Sequence, residues 1–344
     1  LFRSVLAGIA DVTSNEHYSS DLIEQRLLPT YEKLKLPAGR LELMTGIKER
    51  RLWPVGTRAS DLSTMAAEKL LKESEVQAQD IDLLIHSSVC RDFLEPSTAS
   101  VVHSNLKLND SAMIFDLSNA CLGMINSIVV AGNMIENGQI KTALLVSGEN
   151  ASPLLEETIR FLNKGSQDGS INRKNIKKFI ANLTIGSAAT AILLAHKDDF
   201  PDAPQILGGS VHTDSSANTL CQGDGNGHSL MMETDSEALM HKGVDLALKN
   251  WNKAKESLEW KNSDLDWVLT HQVGIAHEKM TLEALGVENI STFQTYPYLG
   301  NTGSSALPIT LSHLKDKKLI NKNDKLALMG IGSGLTSIIL GIQW

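Results

Sequence analysis

The chain has three cysteines in 344 residues, Cys90, Cys121 and Cys221. They are too few, and odd in number, for a disulfide framework, which fits a reducing cytoplasm. No apolar run is long enough to cross a bilayer, which predicts a soluble protein. The apolar opening, residues 1–10, lacks the basic leader of a secretory signal and reads as a first core strand. An excess of one charge sign is also missing. The net charge is -8 with acids and bases interleaved, which argues against broad binding to nucleic acid or anionic membranes and leaves any anionic ligand to a local basic pocket. Residues 221–228 lack both the terminal acidic ligand of a calcium loop and a second Cys/His pair, so they read as a flexible loop and no metal site is expected.

What the chain does have is apolar content, 42% of residues, enough for a large core in two domains or one duplicated one. Short apolar runs alternate with helical periodicity. Strands are expected at 82–89, 112–115 and 142–148, a small-residue turn leading into another core strand at 186–195, and helices at 21–34, 64–74 and 122–137. Beyond a polar, proline-bearing stretch at 196–204 the alternation repeats: strands near 206–212, 266–270, 325–329 and 337–344, and a helix over 236–259. The element order predicts an α/β fold of two duplicated halves, 1–199 and 200–344, although no residue-level repeat is visible.

The stretch from Asp116 to Met124 is the centre of this arrangement. It places Cys121 on the turn between a buried strand and a long helix, where unpaired N–H groups and the helix dipole favour the thiolate that attacks a carbonyl or thioester. A small buried hydrophobe is the plainer role for a single cysteine. Two further strand ends deliver His271 and Asn301, and in parallel sheets such ends face a common crevice. Glu95 precedes Pro96 and a helix-starting serine, so it reads either as a partner for that helix N-terminus or as a functional carboxylate. The basic loop 45–53, with Arg50, Arg51 and Trp53, reads as a solvated turn or a phosphate contact, and Arg173, Lys174, Lys177 and Lys178 as a solvated face.

Taken together, Ala120-Cys121, His271-Gln272-Val273-Gly274, Gly300-Asn301-Thr302 and the glycine-rich run from Gly330 to Thr336 resemble the motifs of β-ketoacyl synthase III-type condensing enzymes of the thiolase superfamily. The likeness covers nearly the whole chain. Within the family, residues 50–53, 88–100 and 330–335 are most similar to the branch that condenses long-chain acyl-CoA thioesters head to head in olefin biosynthesis. The resemblance implies a five-layer αβαβα fold and an acyltransferase in which Cys121 carries the first acyl group. It implies an oxyanion hole from the N–H groups of Cys121 and Ser333, and His271 and Asn301 as donors to the second substrate's carbonyl. Coenzyme A thioesters would be substrates, with no bound cofactor.

Glu95 then separates two chemistries. Malonyl-ACP-using synthases make the carbanion by losing CO₂, need no base and typically carry Phe at this position. Condensing two ordinary acyl-CoA thioesters requires a base for the α-proton. The resemblance implies that this base comes from the partner subunit of a homodimer. The expected reaction is a non-decarboxylative Claisen condensation to a β-keto acid; the alternatives are a decarboxylating 3-oxoacyl-ACP synthase III and a non-catalytic acyl-binding scaffold. Gly274, Ala276 and Met44 depart from the malonyl-ACP pattern, which leaves Arg50, Arg51 and Trp53 as the candidates for the anionic end of coenzyme A. Leu94, Met124, Ile125 and Leu299 are candidates for acyl tunnels or for ordinary core.

Overall fold

The computed structural model describes residues 3–224 and 231–344. Nine strands follow one another in the order Trp267–Thr270, Lys325–Gly332, Thr336–Gln343, Gln205–Thr213, Ser4–Val12, Ala188–His196, Thr142–Glu149, Leu83–His86 and Met113–Asp116. The seam between Ser4–Val12 and Gln205–Thr213 rests on the pairing of Val5 with Gln205. On each side of it the same order unfolds outward: first strand, fifth, fourth, second, third. In both halves the first two of these pairings are antiparallel and the next parallel. In the second half the third position is taken by Ser291, which bridges Trp267 in parallel.

Alternation of side chains along these strands builds the layers. Leu83 and Ile85 enter a central core with Leu326, Leu328, Ile338 and Leu340, while Leu84, Leu144 and Leu193 point to an outer core. Val268, Ala327, Met329 and Ile339 do the same on the opposite outer face. A period of two divides each strand between two faces, and strands buried on both need helices on both. The helices Gly123–Glu136 and Ala306–Asp316 fill the centre through Ile125, Ile128, Leu307 and Leu311. Ala59–Glu73 and Thr98–Leu106 cover the first half, and Ser236–Leu258 with Ile275–Leu285 the second. This gives five layers, αβαβα. Each buried Leu or Ile contributes roughly 1.5–3 kcal/mol, so the central layer holds the halves together more strongly than the thin seam does.

The local differences from expectation have local causes. The expected helix at 21–34 is two helices, Ser20–Arg26 and Leu28–Leu34, because Pro29 stands in the first turn of the second. The helix expected to begin near Thr64 begins at Ala59 after Arg58, whose N–H is held by Asp61. Residues 172–182 give the 3-10 helix Ile176–Leu183, and Ser152–Asp168 is a helix that the periodicity reading passed over. Cys221–Asp224 is a strand paired with Met231–Thr234, which corrects the loop expectation there, and 225–228 lie outside the described residues. No helix among the described residues is long and apolar enough to cross a membrane.

Candidate active site

The duplicated topology places the candidate residues at matching points. Cys121 and Asn301 precede the two central helices, and Glu95 and His271 follow the second strand of each half. Cys121 sits on a tight elbow: Leu122 N donates to Asn119 O at 2.9 Å, and Ala120 adopts φ 46°, a left-handed conformation for a residue with a side chain. A Cβ on Gly123 would lie 2.9 Å from Ser304 Oγ, so the first helical residue must be glycine for the Asn301 turn to approach. Ser304 Oγ donates to Ala120 O at 2.8 Å, tying the two turns. Gly330 and Gly332, at the start of the hairpin turn that carries Ser333, crowd Leu122, where an added Cβ would meet Leu122 at 2.4 and 2.9 Å. The Ser333 turn therefore lies against the elbow.

The expectation of a thiolate is corrected. Burial, then the neighbouring Glu149 carboxyl, push the Cys121 thiol up to about 12. Cys121 lies two residues ahead of the first helical residue, Gly123, and the contact of its own N–H with sulfur does not offset desolvation.

His271 is 4% exposed, and burial pushes it down to about 3, so its ring is neutral and has one N–H to donate. Its Nδ1 has no hydrogen-bond partner among the described residues. Gln272 fixes the loop: Oε1 accepts from Thr295 N at 2.8 Å and Tyr296 N at 3.2 Å, while Nε2 donates to Thr270 O at 2.9 Å. Those bonds join the His271 loop to the helix Tyr296–Leu299, which leads into Asn301. Gly303 N donates to Asn301 Oδ1 at 3.1 Å, which commits the amide oxygen and leaves the NH₂ as donor. A Cβ on Gly186 would fall 1.8 Å from Leu299 O, so this turn too depends on a bare backbone.

Glu95 is exposed on an arm with Val89 57%, Phe93 40% and Leu94 99% exposed. The helix-partner reading fails: Ser97 Oγ accepts from Ser100 N, and both Asp116 oxygens accept from Thr98 N and Ala99 N at 2.8 Å. Arg50, Arg51 and Trp53 are also placed differently from expectation, turned into the fold. Arg50 is 0% exposed with Nη2 on Ser20 Oγ, Arg51 Nη1 donates to Ser14 O, and Trp53 packs on the outer core. Met124, Ile125 and Leu299 are buried core residues. Arg173, Lys174, Lys177 and Lys178 are exposed, as the reading of a solvated face expects, and Arg173 and Lys177 stand with Arg40 at the edge of a cavity walled by Leu27, Leu162 and Leu183. The helix Arg40–Thr45 links it to the site, since a Cβ on Gly274 would lie 2.8 Å from Thr45 O. Glu149, which accepts from Val89 N, Cys90 N and Ser304 N, escaped notice; its signal was a carboxylate ending an apolar strand.

Residues 115–215 and 256–344 match the models of 3-oxoacyl-[acyl-carrier-protein] synthase III and of its C-terminal part. The acyl-CoA:acyl-CoA alkyltransferase of Xanthomonas campestris pv. campestris is 37% identical over the full length of both chains. That of Shewanella oneidensis is 35% identical over 95% of this chain and 94% of its own. A β-ketoacyl-[acyl-carrier-protein] synthase III of Clostridium tetani is 27% identical, covering 88% of this chain and 89% of its own. Cerulenin-bound OleA of Xanthomonas campestris superposes with a TM-score of 0.95 at 36% identity, covering 100% of this chain and 98% of its own. OleA with a cysteine replaced by serine, bearing lauric acid and lauroyl-CoA, gives 0.94 at 36% identity and 100% of both chains. With the fold, the elbow cysteine and the His and Asn turns in the same chain, the protein belongs to the acyl-CoA:acyl-CoA alkyltransferase family of thiolase-fold condensing enzymes.

Proposed function

We propose that the protein joins two fatty acyl-CoA thioesters head to head without decarboxylation and releases a β-keto acid. Cys121 sulfur attacks the first thioester, its proton leaves with the departing coenzyme A thiol, and the acyl group stays on the enzyme. The N–H groups of Cys121 and Ser333 hold the oxyanion. Glu95 takes the α-proton of the second acyl-CoA, and the enolate oxygen meets two neutral donors, His271 and the Asn301 amide. The carbanion attacks the acyl-enzyme, Cys121 leaves and is reprotonated, and water cleaves the remaining thioester. Arg40, Arg173 and Lys177, at the edge of the apolar cavity, take the phosphates of coenzyme A, which is a substrate fragment.

The observation that carries this reading is the exposed carboxylate of Glu95, which has no hydrogen-bond or ion-pair partner among the described residues, on an arm that leaves Val89, Phe93 and Leu94 exposed. Exposed apolar residues around a single carboxylate suit a segment covered by a second copy. We assign the base as Glu95 of the partner subunit in a cytoplasmic homodimer whose two halves divide at 199/200. The named activity of the Xanthomonas and Shewanella relatives supports the same reading. The test supplies long-chain acyl-CoA alone and follows products by mass spectrometry. A 2-alkyl-3-keto acid, or the ketone it yields on losing CO₂, is expected; neither product, with turnover of malonyl-ACP, rejects the proposal in favour of the decarboxylating reaction.

A further inference from the structure

Glu149 closes the strand Thr142–Glu149 and is 4% exposed, yet its carboxyl bonds two segments far apart in the chain and, through Ser304, is tied to a third. Oε1 accepts from Val89 N at 2.9 Å and from Ser304 N at 3.0 Å, and Oε2 accepts from Cys90 N at 3.2 Å. Val89 and Cys90 are the root of the arm that bears Glu95. Ser304 follows Asn301 by one turn, and its Oγ donates to Ala120 O, the residue before Cys121. A Cβ on Gly303 would lie 2.8 Å from Glu149 Oε1, so the turn presses directly on the carboxyl. One buried group thus joins the arm, the Asn301 turn and the cysteine elbow.

We infer that Glu149 is a positioning residue for condensation: it sets the arm root against the Asn301 turn and the Cys121 elbow, so that proton abstraction and carbon–carbon bond formation occur in register. It touches no reacting atom. A carboxylate satisfied by backbone N–H groups is costly to replace because each donor stays buried. Burial raises the Glu149 carboxyl and its hydrogen bonds oppose that shift, while its charge raises the Cys121 thiol. The inference rests on the proposed role of Cys121 as acyl acceptor.

Glu149→Gln tests it. The amide oxygen can keep the bonds to Val89 and Ser304, but the NH₂ then faces the Cys90 N–H, donor against donor, which loosens the arm root. Two half-reactions are measured on the full-length enzyme: acyl transfer from lauroyl-CoA to Cys121, by intact mass, and condensation, by product. Acylation is expected to stay within a few-fold of wild type while condensation falls roughly 10- to 100-fold, the effect of one lost hydrogen bond to a charged group. The pH profile of Cys121 alkylation by iodoacetamide should move to lower pH, a change that general loosening would not give. Wild-type condensation with an unmoved profile overturns the inference, as does an equal fall in both half-reactions with an unmoved profile. Ser304→Ala gives a second reading if the Gln variant does not fold: it cuts the link to Ala120 without removing charge, so condensation should fall with the alkylation profile unchanged, and a wild-type rate overturns the inference. Wild-type enzyme that takes up no acyl group would instead reject the functional proposal itself.

Discussion

Burial beside Glu149 holds Cys121 as a thiol at neutral pH, since its titration is pushed up to about 12 against about 8.5 for a free cysteine. The rate of iodoacetamide inactivation should therefore keep climbing through pH 10; a plateau between pH 8 and 9 would show an ordinary thiol. In the proposed reaction the second substrate meets a different device. His271, held neutral by burial, and the Asn301 amide, its oxygen committed to Gly303 N, offer hydrogen bonds without a full charge. Asn301→Asp keeps the acceptor and removes the donors. It should lower condensation roughly 10²- to 10³-fold, the usual cost of losing one oxyanion donor, while lauroyl-CoA still acylates Cys121; equal loss in both steps would place Asn301 in acyl transfer. Asn301, expected at a strand end, instead follows the helix Tyr296–Leu299, while the positions of Cys121 and His271 just beyond strands were legible in the local patterns. The thiol's state was not, because the dipole argument counts only the helix and desolvation comes from the packed layers around it. Glu149 was invisible for a related reason: its partners lie 60, 59 and 155 residues away.

Among the elements, the site depends on backbones that approach too closely for a side chain. Gly186 passes Leu299 O, and Gly186→Ala would bring its Cβ to 1.8 Å. That contact must be relieved by separating the Ala188–His196 lead-in from the Asn301 turn. Overpacking of this kind costs roughly 1–3 kcal/mol or more, and thermal unfolding should show a clear drop in Tm; an unchanged Tm would mean that the turn yields freely. Sequence alone could not reveal that Gly186 and Gly300 cross each other, since that contact is made only in the folded chain. The same limit applies to Arg50, Arg51 and Trp53. Their chemistry suits phosphate and flat rings, but the strand Glu49–Arg51 pairs with His17–Ser19 and turns Arg50 inward. Arg173 and Lys177 are exposed, as a solvated face implies, and only the folded chain shows them beside Arg40 and an apolar cavity.

For the molecule as a whole, the order of elements was the most legible property. A period of two in the strands and 3.6 in the helices reports burial directly, and the strands of the two halves repeat one order. Burial has a further consequence for stability. His86 is pushed down to about 4 by burial, against the pull of Asp116, and His271 to about 3. An unfolded histidine titrates near 6.5, so between pH 6.5 and 4 the unfolded chain binds protons that the native protein refuses, and stability falls as pH falls. Tm should decline steadily from pH 7 to pH 5; a flat profile would mean that these rings are protonated in the native state. The proposed assembly rests on Glu95, whose exposed carboxylate has no partner among the described residues.

The most direct test of the account pairs two dead chains. Cys121→Ala and Glu95→Gln should each abolish condensation of lauroyl-CoA as homodimers. Co-expressed with different tags and purified as a heterodimer, they rebuild one site with the cysteine of one chain and the glutamate of the other. The account predicts that this heterodimer regains the β-keto acid product at up to about half the wild-type rate, one site of two in a twofold dimer. A heterodimer as inactive as its parents, or a Glu95→Gln enzyme that condenses normally, would contradict it.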